Sequence, residues 1–226
     1  TICDRVTRSV KKGNITIVLS DKKINKNQLT IPAPMAVGAI HHKLINIGLR
    51  CDTNLIIETG SARNPHHFAV LLGYGATAIY PYLAFEILNE MVAKKKLTIQ
   101  KYSESVKNYT NGINKGILKI MSKMGISCVS SYRGAQLFEI VGLDDNIVNL
   151  CFKDTISRVS GARFKDIEVD IEENRCLAWD IGKEIKTGGL LKYVHNEEHH
   201  DYNPNVVKSL QECVATAEYD DYKKFS

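Results

Sequence analysis

Residues 55–86, LIIETGSARNPHHFAVLLGYGATAIYPYLAFE, constrain the fold more than any other stretch of this chain. Leu55-Ile56-Ile57 is apolar and rich in β-branched residues, and it breaks into polar Glu58-Thr59-Gly60-Ser61. After its two histidines, the run from His66 to Tyr74 is almost wholly apolar and reads as a helix buried on most sides, stopped by Gly73 and Gly75. Thr77 to Tyr80 reads as a second strand, and Pro81 opens a further helix. A strand, a crossover helix and a strand with short connections make a parallel βαβ unit, which gathers the polar strand ends on one edge of its sheet.

The alternation continues on both sides. Residues 4–12 read as the tail of a helix stopped at Gly13, and residues 15–19 as a strand of the kind buried on both faces of a parallel sheet. Pro32 and Pro34 open a helix in which Val37, Ile40, Leu44 and Ile47 share one face. The helix from Pro81 aligns Leu83, Ile87 and Met91. A longer helix comes next, with Val106, Tyr109, Ile113, Ile117, Ile120 and Met124 on one face and Lys115, Lys119 and Lys123 on another. Residues 126–130 read as a strand, 134–141 as a helix and 147–152 as a fifth strand. The predicted class is α/β, a parallel sheet of alternating strands and helices. Five strands are too few for an eight-stranded barrel, so the sheet is open or an incomplete barrel. Residues 1–154 form the regular core. Residues 155–226 are less regular, with helices at 164–176 and 204–216, a helical pattern at 218–225 and an irregular stretch at 187–203.

Composition excludes several function classes. Hydrophobic residues make up 44% and charged residues 24% of the 226, as in an ordinary globular protein. No apolar run approaches the roughly 20 residues that cross a bilayer, and no signal peptide is visible. The chain begins at Thr1 and ends on a helical pattern, so both ends read as cut from something longer. The six cysteines contain no CxxC, the nearest two being Cys128 and Cys151, which suits reduced thiols in a cytoplasmic protein without a metal centre. Residues 1–50 carry nine Lys/Arg against two acids, and residues 94–123 carry eight Lys against one Glu. These lysines are not interleaved with aromatics or set in a nucleic-acid motif, so a solvated surface is favoured over nucleic-acid binding.

The strand ends carry the chemistry. Ser20 and Asp21, Glu58 and Ser61, Tyr80 and Tyr82, and Ser130, Tyr132 and Arg133 all come after predicted strands and would converge at the carboxyl edge. With Glu58 as general base and Arg133 beside it or holding an anion, the chain would be a self-sufficient α/β enzyme. The competing reading, that these residues cap helices and lock loops, is favoured because no nucleophile–base–acid set is identifiable by spacing. The pairs His41-His42, His66-His67 and His199-His200 lack the i, i+4 spacing of a helical chelate and read as packing or interface residues. The segment HNEEHHD at 195–201 has a metal-rich composition without the HExxH pattern, and reads as a solvated turn. Gly73-Tyr74-Gly75 sits after a helix and before a strand, the reverse of a dinucleotide fingerprint.

Three long blocks, IPAPMAVGAIHHKLINIGLR, LIIETGSARNPHHFAVLLGYGATAIYPYLAFE and GINKGILKIMSKMGISCVSSYRGAQLFEIVGL, resemble the central domain of the glutamate synthase large subunit. TISR at 155–158 and YNPNVVKSLQ at 202–211 resemble the same family near its junction with the flavin domain. The resemblance implies an α/β domain related in topology to the flavin barrel. Such a domain joins a glutaminase domain to an FMN- and iron–sulfur-containing domain of the same polypeptide and helps wall an ammonia tunnel. The full enzyme makes glutamate from glutamine and 2-oxoglutarate, with a small reductase subunit or ferredoxin as electron source. The central domain holds no catalytic, cofactor or metal residue, so the chain alone is expected to be inactive. Glu58, Ser61, Arg63, Ser131, Tyr132, Arg133 and Gln136 are the candidates for lining the tunnel or an interface. The resemblance has two departures: before YNP many relatives resemble GGEYH, whereas residues 196–200 read NEEHH, and the sequence stops as the flavin domain would be expected to begin, so no flavin site is carried over.

Overall fold

The computed structural model describes residues 1–99, 101–180, 189, 191–196 and 198–226. It divides into two compact units, Thr1–Trp179 and Asp180–Ser226. The larger is a parallel α/β assembly. It begins with α1 (Ile2–Lys11), capped by Thr1, whose hydroxyl accepts from the Asp4 backbone N–H. The strands β1 (Thr16–Ser20), β2 (Asn54–Glu58) and β3 (Ala78–Tyr80) pair in parallel in that order, linked by α2 (Ala33–Asn46) and α3 (Pro65–Gly73). Then come α4 (Tyr82–Ala93), α5 (Tyr102–Lys123) and a single turn, α6 (Val129–Tyr132). A second parallel pair, β4 (Glu139–Leu143) and β5 (Ile156–Ala162), encloses α7 (Asp145–Cys151), and α8 (Phe164–Ala178) ends the unit. The smaller unit contains α9 (Pro204–Thr216) and α10 (Tyr219–Phe225). The fold class is α/β as the sequence indicates, with no closed barrel among the described residues.

Burial alternates with a period of two through the first sheet. Register pairs Ile17 with Leu55 and Leu19 with Ile57, and this row faces the helices. Val6 and Val10 of α1 and Ile40 and Leu44 of α2 cover its amino half. Val37, Phe68 and Leu71 join Ile57 in the main core with Ile113 of α5 and Ile147, Cys151 and Phe152. The other row, Thr16, Val18 and Ser20 against Asn54, Ile56 and Glu58, then Ala78 and Tyr80, is the more exposed one: Val18 is 56% exposed, and Tyr80 at its end meets Phe85 of α4. β1 is therefore buried on one face, not both. Its apolar run reflects an inner face that packs and an outer face left open. On α4 the predicted row is likewise outward: Leu83 and Ile87 are exposed, while Phe85 turns in against Tyr80 and Tyr109.

Three assignments between residues 126 and 152 are corrected. Residues 126–130 are not a strand; after Cys128 the chain makes the helical turn α6. Residues 134–141 are not a helix but a loop leading into β4, and 147–152 belong to α7 instead of a fifth strand. α7 has its own signals, a cap in which Asp144 accepts from the Asn146 N–H at 3.0 Å and buried Ile147, Val148, Cys151 and Phe152 at helical spacing. β5 carries a short apolar pattern interrupted by Arg158 and Gly161, and the sequence pattern does not mark it. Among the described residues the strands form two sheets, β1–β2–β3 and β4–β5, instead of one. Helices 164–176 and 204–216 appear as read, α8 running two residues further and α9 capped by Asn203, which accepts from Asn205 and Val206. In the 187–203 stretch, residues 187, 188, 190 and 197 lie outside the described residues.

Close backbone approaches fix how the helices seat. A Cβ on Gly38 of α2 would lie 1.9 Å from the Cys151 carbonyl oxygen, and one on Gly116 of α5 would lie 2.4 Å from the Pro65 ring. Gly38→Ala is therefore expected to destabilise the fold by about 2–3 kcal/mol, since α2 and α7 must separate. Gly112→Ala, at an exposed helical position with open space around it, is expected to stabilise by about 0.5–1 kcal/mol. Denaturant midpoints of the two variants measure the contrast.

Candidate functional site

At the carboxyl edge, the segments leaving β1 and β2 are braced against one another. The Ser20 hydroxyl donates to Glu58 Oε2 at 2.5 Å. Asp21 accepts from the Thr59 hydroxyl at 2.5 Å and from the Gly60 N–H at 3.0 Å, while Thr59 Oγ1 accepts the Ser61 N–H at 3.1 Å and meets its hydroxyl at 2.9 Å. Thr59 is fully buried, so its hydroxyl needs these partners. Tyr82, at the start of α4, is pushed up to about 12, first by burial and then by the Asp21, Glu86 and Glu58 carboxylates. Its phenol remains neutral near pH 7. Lys22 lies 5.5 Å from the Tyr82 ring centre. Asp21, Glu58 and Thr59 edge a cavity of about 300 Å³ whose other walls include Leu19, Ile24 and Ile57.

The amino edge holds a different set. Arg50 sits in the short 3₁₀ turn before β2. It donates through Nη1 to the Thr53 carbonyl, through Nη2 to the Gly75 carbonyl and through Nε to His41 Nδ1, each at 2.8 Å. One guanidinium thereby ties the entrances of β2 and β3 to α2. Gly75 (φ +112) is required here, because a Cβ would lie 2.3 Å from His41 Nδ1. His41 is held down to about 4, chiefly by burial and then by the charges of Arg50, His42 and Arg133.

The structure separates the residues that the sequence would converge. Glu58 and Ser61 lie at the carboxyl edge, with Arg63 two residues on, its carbonyl accepting from the Tyr109 hydroxyl at 3.0 Å. Ser131, Tyr132, Arg133 and Gln136 belong to α6 and the loop after it. The Gly134 N–H donates to the Gly73 carbonyl at 2.9 Å, anchoring that loop at the C-terminus of α3, before β3 begins. Arg133 acts electrostatically on Arg50 and His41, at the amino edge. Glu58 and Arg133 thus stand apart by the length of a five-residue strand, on the order of 15 Å, and do not form the pair imagined for a self-sufficient enzyme. The reason is that residues 126–130 are not a strand of this sheet, so the segment from Ser131 to Gln136 is not delivered to its carboxyl edge.

The other sequence candidates take structural places. His66 meets Phe138 edge-on at 6.5 Å, His67 Nδ1 accepts from the Arg63 N–H at 3.2 Å, and Glu198 lies 3.5 Å from His200. No group of three potential metal ligands occurs among the described residues, and all six cysteines are free. Lys115, Lys119 and Lys123 are exposed. Arg50 went unnoticed in the sequence, because nothing near it is periodic and its role depends on carbonyls up to 25 residues away.

Comparison with known proteins gives one family. Residues 1–144 match the model of the glutamate synthase central domain. The glutamate synthase (NADPH) large chain of Bacillus subtilis is 38% identical over 221 residues, which cover 97% of this chain and 14% of that protein. The ferredoxin-dependent glutamate synthase of Pyropia yezoensis is 38% identical over 226 residues, 94% of this chain and 15% of that protein. The glutamate synthase (NADH) of Schizosaccharomyces pombe is 38% identical over 231 residues, 100% of this chain and 11% of that protein. The chain thus spans 11–15% of the length of these relatives, and its similarity is equal across three named electron donors.

The Arg50–His41 contact predicts a pH effect of definite sign. His41 accepts a hydrogen bond from Arg50 only when its Nδ1 is unprotonated, and its pKa is lowered in the fold. The unfolded chain then binds the extra proton between pH 6.5 and about 4, and stability falls as the pH drops through that window. Urea midpoints at pH 7.0 and 5.5 are expected to differ more in the wild type than in His41→Gln.

Proposed function

The chain belongs to the glutamate synthase central-domain family, and from that premise we propose that it serves as the connecting domain of a glutamate synthase, without a catalytic centre of its own. The observation that carries this reading is the state of the carboxyl edge. Where an α/β enzyme would present free acid–base groups, Ser20, Glu58, Asp21, Thr59 and Ser61 are bonded to each other. At the same time one sheet face, carrying Val18 and Tyr80, lies open, as a domain made for contact with others requires.

In this reading residues 1–154 are the domain core and 155–226 lead toward a flavin domain. The whole enzyme makes glutamate from glutamine and 2-oxoglutarate in the cytoplasm. Its glutaminase and FMN-binding domains lie on the same polypeptide, and FMN and the iron–sulfur cluster belong to the latter. Electrons reach it from NADPH or NADH through a small reductase subunit, or from ferredoxin. Among the described residues no helix is long and apolar enough to cross a membrane. Two surfaces would face the other domains or the ammonia route: Glu58, Ser61 and Arg63 on one edge, and Ser131, Tyr132, Arg133 and Gln136 near the other.

The test uses the full enzyme. Ser61→Trp and Ser131→Trp each replace an exposed serine, so both variants are expected to fold. At a tunnel or interface position, tryptophan should let glutamine hydrolysis continue while glutamate formation falls several-fold. Unchanged stoichiometry in both variants would remove these positions from the route. The 226-residue chain alone should be colourless and without turnover; flavin absorbance that copurifies with it would overturn the connecting role.

A further inference from the structure

The loop after α6 borders a cavity of about 220 Å³ beside the C-terminal end of α3. Small-molecule sites usually run to roughly 300–1,000 Å³, so this one takes a single-ring compound. Its floor is aromatic. Tyr74 stacks on Phe138 with ring centres 5.6 Å apart, and Phe138 meets Tyr132 edge-on at 6.5 Å. A Cβ on Gly73 would lie 2.5 Å from the Phe138 ring, so the loop seats directly on α3. Two donors on this floor are unspent. His41, 8% exposed and held neutral by burial, accepts from Arg50 through Nδ1 at 2.8 Å, so its ring carries the proton on Nε2. Tyr132 is 2% exposed. Neither that imidazole N–H nor the Tyr132 hydroxyl makes a hydrogen bond among the described residues. Buried donors of this kind need an acceptor.

The rim is polar and carries one charge of each sign. Asn46, Gln136, Lys153 and Asp154 all line the cavity, and all four are exposed. Among the described residues neither Lys153 nor Asp154 is held in an ion pair. Both act on His42, which also lines the cavity: burial lowers its pKa first, while Asp154 pulls it up and Lys153 down. Gln136 (φ 53) and Asp154 (φ 64) are two of the three described non-glycine residues of the larger unit with left-handed backbone. Strained positions of this kind cluster where ligands are held. A simple anion here would be opposed by Asp154, and a simple cation by Lys153. A molecule with both charges on neighbouring atoms matches the pair.

We propose that this cavity binds a free aromatic α-amino acid, its ring on the Tyr74–Phe138 wall, its ammonium at Asp154 and its carboxylate at Lys153. A hydroxyl on the ring would supply the acceptor that His41 Nε2–H and Tyr132 lack. Glutamate and 2-oxoglutarate do not suit the site, because each would bring a second carboxylate to an aromatic floor. The site is separate from the Glu58–Asp21 cluster, and it stands whether or not the connecting role is correct.

The experiment is calorimetric titration of the 226-residue chain with L-tyrosine, with tyramine, which lacks the carboxylate, and with 3-(4-hydroxyphenyl)propionate, which lacks the ammonium. One saturable site is expected for L-tyrosine, with each analogue weaker by about tenfold or more. Lys153→Met should weaken L-tyrosine and leave tyramine unchanged. Asp154→Asn should weaken L-tyrosine and leave the propionate unchanged. Both substituted residues are exposed, and asparagine tolerates the left-handed backbone at 154, so both variants are expected to fold. Failure of L-tyrosine to saturate the wild type overturns the site. So does equal affinity for the analogues, which would mark uptake of the ring alone, or L-glutamate binding as tightly as L-tyrosine. Equal losses for all three compounds in either variant would show damage to the fold instead of a lost charge contact, and would also overturn the assignment of Lys153 and Asp154.

Discussion

The larger unit depends on a parallel ladder that is buried on one side. Ile17, Leu19, Leu55 and Ile57 point into the helices, and their pairing register places all four in one row. Because the side-chain period of a strand is two, a slip of one residue would send that row to solvent and bring Thr16, Ser20, Asn54 and Glu58 into the core. Leu55 and Ile57, both essentially inaccessible, would each cost about 2–5 kcal/mol to truncate to alanine. The helices are arranged by this row: α1 and α2 close over its amino half, and α3, α5 and α7 over the remainder.

The two edges of that ladder solve different problems. At the carboxyl edge the loops leaving β1 and β2 must turn away together, and short hydroxyl–carboxylate contacts hold them. Those contacts use the groups that a catalytic site would need free, which is why the edge reads as bracing. At the amino edge the problem is to bring in two strands from different helices, and Arg50 does so with fixed guanidinium geometry. A cation in that position carries an electrostatic cost that burial and Arg133 increase.

Legibility in the sequence tracked how much local pattern each element carried. β1, α2, β2, α3 and β3 are bounded by glycine or proline and have runs long enough for their period to show, and each appears where the pattern places it. Between residues 126 and 152 the runs are short, and a short apolar run is compatible with either a strand or a helix turn. The segment Ile147 to Phe152 looks like a strand by composition, yet its buried residues pair as 147–148 and 151–152, which is the spacing of a helix behind an Asp144 cap. β5 escaped because most of its residues are exposed, so that no row of inward apolar side chains marks it.

Sequence alone determined the class of the fold, its central βαβ core and, through long ordered blocks, its family. Those properties are written in local periodicity and in contiguous residues. Tertiary structure decided which polar residues meet. Glu58 and Arg133 lie 75 positions apart in the sequence; once 126–130 is a loop and a helical turn instead of a strand, they lie at opposite edges. Arg50, His41, Gly75 and Arg133 assemble from four segments with no shared motif. Such a cluster is set by where backbone carbonyls and buried charges come to rest after packing, and that is a property of the folded chain.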